Sequence, residues 1–338
     1  MSGVKPRAFS GIQPSGELHI GNYLGAVKNW VEMQKKYDLF VCIVDLHAIT
    51  QPFDPGDLPQ RIFDMALTLL AAGIDPEKCT LFVQSDVAEH SELAWVFMTV
   101  TPLGELERMT QYKDKSARQE SVLAGLLNYP VLQAADILLY HAVAVPVGED
   151  QVQHIELTRE IARKWNGRFG DLFPEPQAVV GDVRRVLGLD GQAKMSKSLG
   201  NTIGLLETEE EIWEKLRVAL TDPQRKTRKD PGNPNKCNIF SLHRHISSEA
   251  DQAWADKGCR TAGIGCIDCK RRLSGNLVET LRPIRERALQ MKQNPDYVLD
   301  VLAEGARRSR EIAAETMRQV RERMGLRADA GPGASGSK

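Results

Sequence analysis

No stretch of the chain approaches the ~20 consecutive apolar residues that cross a bilayer, so no membrane-spanning helix is expected. An excess of one charge is also missing. Lys and Arg number 44 against 45 Asp and Glu, a formal net charge of −1. No global field draws such a chain to nucleic acid, so any RNA-binding surface must be a local patch. The first seven residues carry no apolar signal core, which argues against export. Cysteines are few, six in 338 residues. Without an export signal they point away from a disulfide framework and toward a cytoplasmic protein. Cys42 and Cys79 lie in apolar runs and read as core residues, whereas Cys237, Cys259, Cys266 and Cys269 gather late in the chain.

What is present is enough for a globular protein: 42% hydrophobic and 26% charged residues. The length exceeds the ~250–300 residues at which a single core stops growing, so two domains are expected. Residues 39–43 are continuously apolar, as a strand buried on both faces reads. Helix spacing follows over 57–72, a short strand over 80–83 and a helix over 91–100. This alternation predicts an α/β domain built on a parallel sheet. The charge-rich stretch 113–120 reads as a solvated helix face or loop. A helix over 129–140 contains Asp136. A strand over 143–147 is weakened locally by Pro146, and a helix over 151–165 follows. After Ile203 strand signals fade, and helix spacing returns over 207–220, 277–291 and 298–324. Residues 328–338 hold no core residue and read as a disordered tail.

Three polar clusters punctuate this pattern. The first is a strand end and turn, Gln13-Pro14-Ser15-Gly16, leading into His19-Ile20-Gly21-Asn22-Tyr23 at the start of a helix. A helix N-terminus at a strand end presents free N–H groups to phosphate. The second is Gly148-Glu149-Asp150-Gln151, directly after Val147. The third is Lys194-Met195-Ser196-Lys197-Ser198, a two-lysine loop bounded by Gly191 and Gly200. All three can meet at the carboxyl edge of one sheet.

Together with Val44-Asp45-Leu46-His47-Ala48-Ile49-Thr50, these clusters resemble the class I aminoacyl-tRNA synthetases, most of all the bacterial tryptophanyl enzymes, over residues 8–324. The resemblance implies a Rossmann-like parallel-sheet catalytic domain over residues 1–204 and an all-helical anticodon-binding domain over 205–327. It implies a homodimer whose partners are tRNA(Trp), ATP and L-tryptophan. The chemistry is attack by the tryptophan carboxylate on the α-phosphorus of ATP, which demands alignment and charge stabilisation and no covalent side chain. His19 and Asn22 would donate to the phosphates. Asn22 replaces the histidine that ends another form of this signature. Lys194 and Lys197 would neutralise the leaving pyrophosphate. Gln13, Pro14, Ser15, Gly21, Gly148, Glu149, Asp150, Val186, Met195, Ser196 and Ser198 would complete the ATP site, and Lys115 would reach the phosphates. Mg2+ is expected on the phosphates and not in a protein cage.

For the amino acid, the resemblance makes Asp136 the acceptor of the indole N–H. Phe9, His47, Tyr129, Gln133, Val147 and Gln151 would form the rest of the pocket. Read by itself, Asp136 is a carboxylate in an apolar helix, either exposed or satisfied by nearby backbone. Gln133 departs from the methionine of many bacterial relatives and resembles tyrosyl enzymes, which often carry glutamine nearby; this keeps tyrosine as the second candidate substrate. The same motifs also fit a nucleotidyltransferase of related fold or a non-enzymatic iron–sulfur RNA-binding paralogue.

The late cysteines follow the spacing Cys237-x21-Cys259-x6-Cys266-x2-Cys269. Four clustered thiols suggest a metal, and spacing alone favours zinc slightly over a 4Fe–4S cluster. The resemblance, to a subset of tryptophanyl enzymes, favours the 4Fe–4S cluster. Around them lie Lys270, Arg271, Arg272, Arg282, Arg285, Arg287 and Lys292, with a second basic group at Arg225, Lys226, Arg228 and Lys229. Such local patches are footprints for a phosphate backbone.

Overall fold

The computed structural model describes residues 5–117, 121–181, 186–196 and 199–326. Among the described residues five strands run parallel: β1 (Arg7–Ile12), β2 (Asp38–Ile43), β3 (Cys79–Val83), β4 (Ala144–Val147) and β5 (Gln177–Val180). Their order across the sheet is β3-β2-β1-β4-β5. All five residues of β3 and five of the six in β2 are buried, because helices cover both faces. β5, with four half-exposed or exposed residues, has too weak a pattern to be read in the sequence.

The strand order reverses between β1 and β4, the place where an open α/β sheet parts to hold a ligand. Pro146 helps to part it. A proline has no amide hydrogen to give a neighbouring strand. Among the described residues β4 pairs with β1 through Ala8 and Ala144 alone, yet pairs with β5 along its whole length. The Pro146 carbonyl instead accepts the Ser10 hydroxyl at 3.4 Å. The local weakening expected at Pro146 is thus confined to one edge of the strand.

Between β1 and β2 the chain forms α1 (Ile20–Asn22), a π-helical turn (Tyr23–Val27) and α2 (Lys28–Met33). α3 (Asp45–Ala48) and α4 (Leu58–Ala71) connect β2 to β3. Four helices lead on to β4: α5 (Glu89–Met98), α6 (Leu103–Glu107), α7 (Thr110–Ser116) and α8 (Ala124–Leu138). The described part of the charged stretch is therefore the end of α7, a helix face. α9 (Val152–Phe169) precedes β5. The described helices after β5 are α10 (Glu209–Val218), α11 (Asn238–Ile246), α12 (Glu249–Arg260), α13 (Cys266–Gln293) and α14 (Pro295–Met324). No described helix is long and apolar enough to cross a membrane. The tail at 328–338 lies outside the described residues.

Alternate residues of β2 feed two cores. Leu39, Val41 and Ile43 join one face with Leu24, Leu69, Leu277 and Leu281. Phe40 and Cys42 join the other with Phe97, Val131, Tyr140 and Trp165. Cys42 and Cys79 are core residues, as expected. The last helix binds the chain together: α14 gives Leu302 to the first core and Ala306, Ala313 and Met317 to the second. It crosses β3 at Gly305, where an added β-carbon would lie 1.9 Å from the Leu81 carbonyl oxygen. Thr316 on α14 donates to the Leu139 carbonyl at 2.8 Å, and Arg321 pairs with Glu92 on α5.

Candidate active site

β1 ends in an exposed turn. The Ser15 amide donates to the Gln13 carbonyl at 2.8 Å, Pro14 is buried beneath, and Gly16 takes φ +115°, a region costly for other residues. His19 then caps α1. Its Nδ1 accepts the Asn22 amide at 3.3 Å, and Asn22 Oδ1 accepts the His19 amide at 3.2 Å. The two polar residues of the first motif are therefore reciprocal caps that hold each other's position. With Nδ1 accepting, the proton of the neutral ring sits on Nε2. The π-helical turn that follows is a rare geometry, seen often at functional sites.

The signature turn is stitched to the segment beyond the lysine loop. Ile20 donates to the Ile203 carbonyl and Leu205 donates to that of Leu18, each at 2.9 Å. Gly21 brings the loop itself into contact: a β-carbon there would lie 3.3 Å from Cβ of Met195 and 3.0 Å from the His19 ring. The loop is braced from below by Asn201. Its Oδ1 accepts the Ser196 amide at 2.7 Å and its Nδ2 donates to Asp190 at 2.6 Å. Asp190 also accepts the amides of Gln192 and Ala193, which hold its carboxyl below the usual carboxylate range. Met195 is buried, Ser196 half-buried and Lys194 exposed. Lys197 and Ser198 lie outside the described residues. Val186 has its side chain in the core, and its carbonyl accepts the Met195 amide at 3.3 Å.

Across the crevice, β4 ends in Gly148, Glu149 and Asp150, all exposed, in a 3-10 turn closed by Gln151. A β-carbon on Gly148 would lie 2.8 Å from Asp150 Oδ1, and Gln151 donates to Asp150 Oδ2 at 3.0 Å.

Beneath this edge is a buried polar network around Asp136, which is 1% exposed. Oδ2 meets His47 Nε2 at 2.7 Å. Oδ1 meets His90 Nδ1 at 2.6 Å and accepts from Gln84 Nε2 at 2.7 Å. Asp136 is neither exposed nor satisfied by nearby backbone; three side chains, from α3, the turn after β3 and α5, hold it. Burial would raise its pKa, but the charge and hydrogen bonds of His47 and His90 overcome that and hold it at about 2. Tyr129 stands edge-on to His47, with ring centres 6.3 Å apart. Its hydroxyl meets His154 Nε2 at 2.9 Å and donates to Gln111 at 3.3 Å. Burial pushes the Tyr129 phenol to about 12. Burial and the charge of Lys115 lower His154 to about 4, so that ring is neutral. The Lys115 ammonium lies 5.3 Å over the Tyr129 ring. Phe9 is buried against Tyr140, Val147 borders the same core, and Gln133 and Gln151 are half-buried.

Gln84, His90, Gln111 and His154 were not singled out from the sequence. Gln84 follows the last residue of β3 directly, so its place at a strand's carboxyl end was the available signal. The other three belong to helices and carry no such mark.

The late cysteines lie at three helix ends. Cys237 caps α11, Cys259 is in the last turn of α12, and Cys266 and Cys269 open α13. All four line one small pocket with Thr221, Arg225, Ile239 and Ile264. Burial and the neighbouring thiols push Cys269 to about 12. As the side chains stand, no three His, Cys, Asp or Glu among the described residues are grouped to hold a metal ion. The basic patch divides. Lys270 is buried and donates to the Arg217 and Ala219 carbonyls, the end of α10. Arg285 and Arg287 donate to the Glu207 and Ala71 carbonyls, and Arg225 to those of Arg228 and Ile264. These four are structural. Arg271 and Arg272 are exposed and stack on Trp213 and Trp254.

Against known proteins, residues 1–282 match the family of class I tRNA synthetases for tryptophan and tyrosine. The tryptophan–tRNA ligase of Deinococcus radiodurans is 57% identical over 325 residues, 95% of this chain and 98% of the relative. That of Thermotoga maritima is 46% identical, covering 95% and 99%. The solved Campylobacter jejuni tryptophanyl-tRNA synthetase, complexed with ADP and tryptophan, superposes with TM-score 0.87 at 40% identity, over 95% of this chain and all of that one. The chain belongs to the class I aminoacyl-tRNA synthetases, within the tryptophan–tRNA ligases.

Proposed function

We propose that the protein activates tryptophan with ATP to tryptophanyl-adenylate and transfers it to tRNA(Trp). The observation that carries this reading is the meeting of the signature turn and the lysine loop, through Gly21 and Met195, together with a buried Asp136 held by His47. Tryptophan lies with its indole toward Asp136 and its ammonium toward Tyr129. The Tyr129 hydroxyl donates its one proton to Gln111 in a hydrogen bond, which leaves a lone pair of the phenol oxygen to accept from the ammonium. Phe9, His47, Gln133, Val147 and Gln151 complete the pocket. His19 and Asn22 donate to the phosphates, and Glu149 and Asp150 accept from the ribose, flanked by Gly148. Gln13, Pro14, Ser15, Val186 and Ser196 complete the nucleotide site. As the carboxylate attacks the α-phosphorus, Lys194 and Lys197 neutralise the departing pyrophosphate, and Ser198 serves the nucleotide site. Mg2+, held on the phosphates, would supply further charge neutralisation there. Residues 1–204 form the catalytic domain. Residues 205–327 receive the anticodon, with the exposed Arg271 and Arg272 stacked on half-buried rings and suited to phosphate and splayed bases.

Two chains form the working unit; the exposed Trp95 and Leu103 support an interface between copies. The protein works in the cytoplasm, with its tRNA and ATP.

The four thiols suit a soft metal, and their shared pocket supports the reading that they hold a 4Fe–4S cluster, with zinc as the second candidate. The cluster is remote in sequence from the lysine loop and serves the helical part. Anaerobically purified protein should be brown and bleach with dithionite. A colourless protein with one zinc per chain rejects the cluster.

The test of the whole reading is charging of purified tRNA with tryptophan. Adenylate formation driven by tyrosine in preference to tryptophan overturns it.

A further inference from the structure

The Asp136 carboxylate has four acceptor sites, two on each oxygen. Three are in use. Gln84 and His90 occupy both sites on Oδ1, and His47 occupies one on Oδ2. The remaining site is on Oδ2, the oxygen shared with His47. None of this is left to rotamer freedom. The Gln84 amide is oriented by the Leu46 amide hydrogen, which its Oε1 accepts at 3.1 Å. The far nitrogen of His90 meets the Tyr140 hydroxyl at 2.7 Å, and Tyr140 is wedged between Phe9 and Phe40. Gln84, His90 and Tyr140 are fully buried, so each lost partner leaves an unpaired polar group out of water.

We infer that His90, held by Tyr140, is a positioning residue for tryptophan: it occupies Oδ1 so that Asp136 offers one acceptor, on Oδ2, to the indole N–H. A carboxylate with Oδ1 released can rotate or turn its second oxygen to the ring, and it discriminates less. A site whose buried acceptor fits one donor rejects analogues that lack that donor, because the acceptor is then left unpaired. The inference rests on the reading that Asp136 accepts the indole N–H.

The experiment compares pyrophosphate exchange driven by tryptophan with that driven by benzothienylalanine, in which sulfur replaces the ring N–H. The full chain is used, wild type and with His90→Leu, His90→Asn, Tyr140→Phe or Asp136→Asn. In His90→Leu the KM for tryptophan should rise roughly tenfold while kcat stays within about threefold, and the preference for tryptophan should fall roughly tenfold. The KM for ATP should not move. His90→Asn, which keeps a donor near the Nδ1 position, should recover most of the preference. Tyr140→Phe keeps the ring packing and should shift the preference in the same sense, less strongly. A folded His90→Leu with unchanged preference, or with kcat lowered equally for both amino acids, overturns the inference. If His90→Leu does not fold, an unchanged preference in Tyr140→Phe overturns it. Asp136→Asn separates the two failures. If it keeps the preference, the reading of Asp136 itself is wrong. If it loses the preference while His90→Leu keeps it, only the role of His90 is wrong.

Discussion

A β-carbon on Gly21 would lie 3.3 Å from Cβ of Met195, so the first helix of the chain touches the lysine loop 174 positions later only because residue 21 has no side chain. The same β-carbon would meet the His19 ring at 3.0 Å. Gly21→Ala should therefore displace either the ring or the loop. Adenylate formation should fall by roughly tenfold or more, with a change in melting temperature of only a few degrees. Stopped-flow activation rates alongside thermal melting check this; a variant of normal rate would show that the contact does not position the site.

The lysines are assigned to the leaving group. Lys194→Ala and Lys197→Ala should each lower the activation rate by roughly a hundredfold while tryptophan binding changes by less than about threefold. Tryptophan titration against single-turnover rates separates the two effects. Loss of tryptophan affinity with the rate preserved contradicts the assignment.

Two buried groups predict acid sensitivity in different windows. His154 is lowered to about 4 by burial and by Lys115, below its ordinary value in the unfolded chain. The unfolded state then binds the proton first, so stability falls as pH drops from about 6.5 to 4. Asp136 is held at about 2, so its contribution is present above pH ~4 and is lost as pH falls from there toward 2. Urea unfolding across pH 7–4 should show the first loss, on the order of 2 kcal/mol, and His154→Gln should flatten it. An unchanged slope in that variant would count against a neutral, buried ring.

Gly305 packs on the backbone of β3, where a β-carbon would lie 1.9 Å from the Leu81 oxygen. Backbone on both sides leaves nothing flexible to move aside. Gly305→Ala should destabilise the protein by about 3 kcal/mol, read by urea unfolding, with tryptophan affinity of the folded fraction retained. A loss below about 0.5 kcal/mol would mean that α14 can lift from the sheet at little cost.

Much of the architecture was legible because its signals are local. A run such as residues 39–43 reads as a strand covered on both faces, and the steps of three and four from Leu277 to Met291 define a helix face before any contact is known. β5 escaped because four residues, two half-exposed and two exposed, carry no periodicity. The long α13 proved to begin at Cys266, because its first turns are polar and hold two of the four thiols. Lys270, Arg285 and Arg287 read as a basic patch, yet they cap or bridge backbone carbonyls. Charge alone does not say which way a long side chain turns.

By itself the sequence determined the α/β class, the helical second part, the signature residues and the family. These follow from patterns within a few residues of one another. The tertiary structure decided what each polar group does. It made His19 and Asn22 each other's caps, and it set His47, Gln84 and His90 around Asp136 from positions up to 89 residues away. A buried carboxylate is satisfied by whatever donors the fold brings within about 3 Å, and no rule of spacing along the chain encodes that distance.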